Sequence, residues 1–257
     1  MERLTNTKKS GINGNALRTW ALLFAAAGAI GRGTIQTHML GMAQMSAQQM
    51  LEVLGASESA MTLATCSIVL QALETCAVPI FALMLVEGVQ HTSDFKAYFL
   101  RILGAAAITE IPYNLATGGK LFDLSSRNPV FSLVLCLVIV YLFQLYSQSG
   151  GKNVLIRIAV VAASIVWCEM LKIDFGMPTV LIVVVLWAFR GKTLYRNFAG
   201  AAAAMVCTVY SPFFLAAPMG FMAIHFYNEE ACTNSRRVNY LAYPAILLLA
   251  ALAGITL

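Results

Sequence analysis

Charge is what this sequence has least of. Only 11% of its 257 residues are Asp, Glu, Lys or Arg, against about 25% in an ordinary soluble domain. Residues 128–151, 197–228 and 238–257 contain none at all. A soluble catalytic domain is therefore not expected, and little chain is left outside the apolar runs for one. Metal-binding cysteine patterns are also missing. The six cysteines, at 66, 76, 136, 168, 207 and 232, show no CxxC spacing and no histidine partner at ligand distance, so they read as small packing residues and no metal is expected. There is no HExxH, no GxSxG elbow and no phosphate-cradling P-loop. The net charge of +5 comes without a basic and aromatic stripe, which argues against a nucleic-acid partner. No repeat or low-complexity tract occurs. The polar start leads into an apolar run near Trp20 without a small-residue cleavage pattern, so no cleaved leader is expected.

What is present is apolar sequence: 59% hydrophobic residues and a mean hydropathy of +0.74. This predicts an all-α fold, a single polytopic transmembrane helical bundle over 1–257 in contact with the lipid bilayer. Nine spans are expected, some short or broken: 18–41, 60–87, 96–111, 128–147, 156–172, 176–190, 197–211, 213–227 and 239–257. Ser211-Pro212 and Pro218 divide the uncharged run of 197–228 into a hairpin, because proline removes an amide donor and clashes with the preceding turn. With the N-terminus inside, 13 of the 17 Lys and Arg residues fall on the cytoplasmic side, as the positive-inside rule requires. Residues 1–17 then form a cytoplasmic basic tail, and 42–58 an outer-side surface segment.

The few charges inside apolar runs are functional candidates, because an ionisable group at membrane depth is costly. At a rise of 1.5 Å per residue, Arg32, Glu74, Glu110 and Glu169 each lie roughly 18–21 Å from the inner edge. They form one layer in the outer half. Arg32 is expected to pair with Glu74 or Glu110, either as an interhelical ion pair that fixes packing or as a substrate-facing group. At the inner edge Glu87 and His91 are four residues apart, on one helical face. His91 is read either as the imidazole of a carboxylate-oriented base or as an interfacial cap. His225, near the inner end of its segment, is read as a neighbour of that pair or as a snorkelling side chain. His38 is similarly open. The glycines of AGAIGRG around Arg32 suit close helix packing.

The stretch PIFALMLVEGVQHTSDFKAYFLRILGAAAITEIPYNLA, followed by NPVFSLVL, resembles the TraX family of bacterial membrane proteins. The likeness is dense over 78–135 and extends through IDFGMPTVLIVVVLWAFR to NYLAYP. Glu87, Glu110, Pro112, Asn128 and Asp174 stand at positions matching family motifs, and Asn114 stands where the family more often has Asp. The resemblance implies a multi-pass protein of the bacterial inner membrane, related to conjugation. It further implies acyl transfer from acetyl-CoA or another acyl-CoA to an amine or hydroxyl, with pilin the acceptor only by family analogy. Glu87, His91 and Glu110 are then the candidate catalytic residues. Arg32, Glu74, Asn114, Asn128, Glu169, Asp174 and His225 form the accompanying polar set. The family carries an Asp-His pair before Ile-Gly in its first span; here that stretch is Gly28-Ala29-Ile30-Gly31. Its terminal YP-LH motif is here Tyr243-Pro244-Ala245-Ile246. Either His38 or His91 substitutes, or the chain is a degenerate member. The alternative class is a non-enzymatic membrane transport or binding protein using the Arg/Glu layer.

Overall fold

The computed structural model describes residues 11–230 and 236–256. Most of the expected basic tail, up to Ser10, and Cys232 lie outside them. Among the described residues the fold is helical, with no strand beyond two isolated bridges, Ile12 with Tyr227 and Arg127 with Ile173. In chain order the helices are α1 (Gly14–Gly28), a π-helix (Ala29–Met39), α2 (Ala47–Ala56), α3 (Glu58–Glu74), α4 (Ala77–His91) and α5 (Phe95–Gly118). There follow α6 (Val130–Leu145), α7 (Gly151–Met170), α8 (Gly176–Ala188), α9 (Thr193–Val206), α10 (Gly220–His225) and α11 (Arg236–Thr256). Polar side chains set several starts. Asn13, Ser57 and Asp94 each accept from a backbone amide of the following first turn, and Ser46 with Gln49 makes a reciprocal capping box on α2, satisfying amides a helix start leaves open. Gly119 ends α5 with φ 64°, the left-handed conformation glycine adopts without penalty.

Each of the nine expected segments carries helix, but not always as one helix. The segment 60–87 is α3 and α4, divided at Thr75 and Cys76. Pro79 explains the break: its ring crowds the carbonyl four residues back, that of Thr75, and it has no amide to donate. The Thr75 hydroxyl turns instead to Ala72 O and Phe213 O, at 2.7 and 3.1 Å. Glu74 is thereby left on the last residue of α3, beside a bend. The segment 213–227 departs most from expectation. It consists of two 3-10 turns, Pro212–Leu215 and Ala217–Met219, and the six-residue α10; Pro212 just before it, Pro218 and Gly220 break it into these short pieces. Two described helices are long and apolar enough to cross a membrane, Glu58–His91 taken across its bend and Gly151–Met170. Helix α2 has no buried residue, and α7 buries Cys168 alone.

The core is built around α4, α6 and α8, with Ile80, Leu83, Leu137, Ile139, Ile182 and Leu186 sealed from solvent. A smaller cluster joins Ala29 and Tyr113 to Leu247 and Ala251 of α11. This second cluster fixes the π-helix against α5 and α11, and so fixes Arg32.

Candidate functional site

Arg32 sits in the fourth position of the π-helix. Such wide turns are uncommon and concentrate at functional sites. Two glycines let it approach α3. A Cβ at Gly31 would come within 2.8 Å of Leu70 Cβ and 2.9 Å of Ser67 O, and one at Gly28 would overlap the Glu74 side chain. The Ser67 hydroxyl closes the contact by donating to Gly31 O at 2.8 Å. The AGAIGRG glycines thus serve close packing, and one of them also houses a carboxylate.

The guanidinium of Arg32 divides between two acids. Nη2 donates to Glu74 Oε2 at 3.2 Å, and Nη1 donates to Asp174 Oδ2. The Tyr113 hydroxyl donates to the same Asp174 oxygen at 3.0 Å. The guanidinium also lies 5.5 Å from the centroid of the Phe175 ring. Asp174 is aimed by its backbone: its amide donates to Arg127 O at 2.9 Å, and its neighbours Lys172 and Phe175 have φ of 52° and 55°. Left-handed backbone at residues other than glycine is costly and persists where surrounding contacts enforce it. Here the enforcing contacts include Phe175 edge-on to Phe214 at 5.5 Å.

A cavity of about 370 Å³ runs from this cluster to the opposite end of α1 and α4, a volume in the range of small-molecule sites. Glu74, Thr109, Phe175 and Thr179 line its far end. Arg18, Glu87, Gly88, His91 and Tyr227 line its mouth, and the wall between is mostly apolar, with Val78, Phe81 and Leu133. Tyr243 and Pro244 also line it.

The expected residues therefore separate. Of the two partners proposed for Arg32, Glu74 is the one it meets, and Asp174 joins it. Glu110 is elsewhere. Its Oε1 accepts from Arg127 at 2.8 Å, and its Oε2 accepts from the amide and side chain of Asn128 at 3.3 and 2.6 Å. Asn128, fully buried, also donates to Ala106 O at 2.9 Å. That clasp ties the loop before α6 to α5 and does not line the cavity. Glu169 does not join the charged layer either: it is exposed on the last turn of α7, because its helix contacts the bundle through the neighbouring Cys168. Asn114 is buried with its carbonyl oxygen unpartnered.

At the mouth, Glu87 and His91 both line the cavity, but the carboxylate does not orient the imidazole. Glu87 Oε2 accepts from Tyr227 at 2.9 Å, and His91 Nδ1 lies 2.8 Å from the backbone oxygen of Glu87. A carbonyl can only accept, so Nδ1 carries the proton and Nε2 is left as the basic nitrogen. His225 does not meet this pair. It is exposed on α10, stacked edge-on against Phe226, and faces a separate apolar groove beside α9. His38 Nε2 lies 3.2 Å from Leu115 O and its ring packs where a Cβ at Gly254 would sit; it lies away from the cavity.

Sequence reasoning missed Tyr113, Tyr227 and Arg18 as cavity or network residues. Tyr113 had a signal, three residues after Glu110 and next to Pro112. Arg18 reads from sequence as the cytoplasmic charge at the inner end of the first span, 18–41.

Fold and site define a class: a helical bundle with a cavity that ends on a partly buried arginine–carboxylate network. The sequence profile of the family described as TraX protein matches residues 15–256, and the chain belongs to the TraX family. No curated protein and no solved structure matches it.

Proposed function

We propose that this chain is a multi-pass membrane acyltransferase that moves an acetyl or longer acyl group from acyl-CoA to an amine or hydroxyl. The observation that carries this reading is the cavity: one continuous apolar passage from a polar mouth to Glu74. A thioester arm lying along it would bring its carbonyl to the far end while the CoA head stays at the mouth. There Glu74 is the proposed base. It takes the proton of the acceptor N–H or O–H, the acceptor bonds to the acyl carbon, the C–S bond breaks, and Glu74 returns the proton to the departing sulfur so that CoA leaves as the thiol. Arg32 holds Glu74 in place and Asp174 with Tyr113 holds Arg32. His91, whose Nδ1 faces the Glu87 carbonyl, is the second candidate base, at the mouth. Glu110 has no part in this scheme, since Arg127 and Asn128 occupy its oxygens.

A bacterial inner-membrane location with the N-terminus cytoplasmic is part of the proposal. It is supported by the two long apolar helices, by the shorter apolar helices around them, and by large hydrophobic side chains turned outward, such as Leu23, Ile68, Leu155 and Val166. With 13 of 17 basic residues on one side, the cavity mouth opens to the cytoplasm, where acyl-CoA is made.

A second reading rests on Gly28-Ala29, which stands where the resembled family carries an acid and a histidine. Glu74 fills the space above Gly28 and so supplies the acid from α3, but no histidine is near. The chain would then bind its ligand without turning it over. One measurement separates the two. The purified protein in detergent is assayed for acetyl-CoA turnover and for thermal stabilisation by CoA, alongside Glu74→Gln. Turnover lost in the variant supports the enzyme; stabilisation without turnover supports binding alone; no CoA effect at millimolar concentration rejects both.

A further inference from the structure

Arg18 is the least explained charge among the described residues. It lies in the second turn of α1, lines the cavity mouth and is only 5% exposed, yet its Nε and Nη1 have no hydrogen-bond partner. A buried guanidinium left without partners costs more than a lost neutral hydrogen bond. Fixed in that state, it serves something that arrives. The nearby acids do not take it. Glu87 is held by the Tyr227 hydroxyl and lies within electrostatic reach of Arg196 and His91, and Glu229 reaches Thr193 at 3.5 Å. Arg101 does not line the cavity itself, but it lies 6.0 Å from the ring centroid of Tyr98, which does, and its Nε is also buried without a partner.

We propose that Arg18 is the recognition residue for a phosphate group, carried by a ligand whose long arm enters the cavity toward Glu74. The planar fork of an arginine matches two phosphate oxygens at once. The wall above it is mostly apolar, with Ala25, Val78, Phe81 and Ile102, and carries the hydroxyls of Thr109, Ser132 and Tyr240, which suits a long arm that is largely methylene with a few amide groups. The proposal deepens the acyl-CoA reading and rests on it for the carrier of the phosphate. An anionic lipid headgroup has the same chemistry.

The test uses the full chain in detergent and three probes: CoA, dioctanoyl phosphatidate and inorganic phosphate. Thermal stabilisation and affinity are measured for the wild type, Arg18→Met and Arg18→Lys. In the wild type CoA is expected to stabilise and inorganic phosphate, lacking the arm, to do little. Arg18→Met is expected to weaken CoA at least tenfold and Arg18→Lys less, since it keeps the charge and loses the fork. Without ligand, Arg18→Met should melt no lower than wild type, because it removes an unpartnered buried charge; a purely structural arginine would do the opposite. Arg18-dependent binding of phosphatidate with none of CoA keeps the phosphate site and rejects the acyl-CoA reading. CoA binding equally to wild type and Arg18→Met overturns the site and leaves the reading standing. Failure of every probe to bind the wild type overturns the site, as does loss of folding in Arg18→Met while Arg18→Lys folds and binds CoA unchanged.

Discussion

Two arginine–carboxylate clusters lie within the same bundle and differ in what surrounds them. In one, Arg127 and Asn128 close on both oxygens of Glu110, and the result is a clasp between a loop and α5. In the other, Arg32 is shared by Glu74 and Asp174, and Glu74 also forms part of a cavity wall. Both read alike in sequence, as acids in apolar runs near an arginine. The difference teaches that a buried ion pair points to function only when a member still faces space a ligand can enter. The rest is packing and is judged by stability.

Four substitutions sharpen or break that contrast. Replacing Arg32 by Ala should have the largest effect. It leaves Glu74 and Asp174 facing each other without a cation, and loss of one partner of a partly buried ion network costs about 3 kcal/mol, read as a fall in thermal unfolding temperature in detergent. Glu110→Ala comes next in stability, at about 2 kcal/mol, from the Arg127 and Asn128 donors left unpartnered. Its turnover at permissive temperature should equal wild type, and a loss of turnover in a folded Glu110→Ala protein would erase the distinction between the clusters. Gly28→Ala should cost about 1–3 kcal/mol from overpacking and displace the Glu74 carboxylate, so its turnover should fall with its stability. Glu74→Gln should change stability least, because Arg32 keeps Asp174, but turnover should drop by about 100-fold or more if a proton passes through this carboxylate. Normal turnover in Glu74→Gln would move the base to His91 at the mouth.

Much of this was legible before the structure. Apolar runs located the helices, because burying or lipid-facing a backbone demands internal hydrogen bonding over a fixed length. The depth of Arg32 and Glu74 followed from the rise per residue, and they do meet. The glycines around Arg32 were read as packing residues, and Gly31 against Leu70 is such a contact. The break inside 60–87 was not placed, although Pro79 was in plain view, because a proline in the first turn of a helix is also an ordinary way to begin one. The segment 213–227 reads as a span from its composition, while Pro218 within it and Pro212 before it leave it as short turns.

The chain's sequence by itself determined the helical class, the family and the depth of each charge along its helix. Which way each charge faces was decided only by tertiary structure. Rise per residue is a local property of the backbone, the same in every helix, and can be counted. Rotation about the helix axis depends on which neighbours pack against it, and those neighbours come from segments far away in the chain. That is why Glu74 and Glu110, set at one depth by the same count, end at different places: one in the wall of a cavity beside a residue of α8's approach, the other locked to Asn128. It is also why Arg18, a charge at the inner end of the first expected span, is buried with its Nε and Nη1 unpartnered.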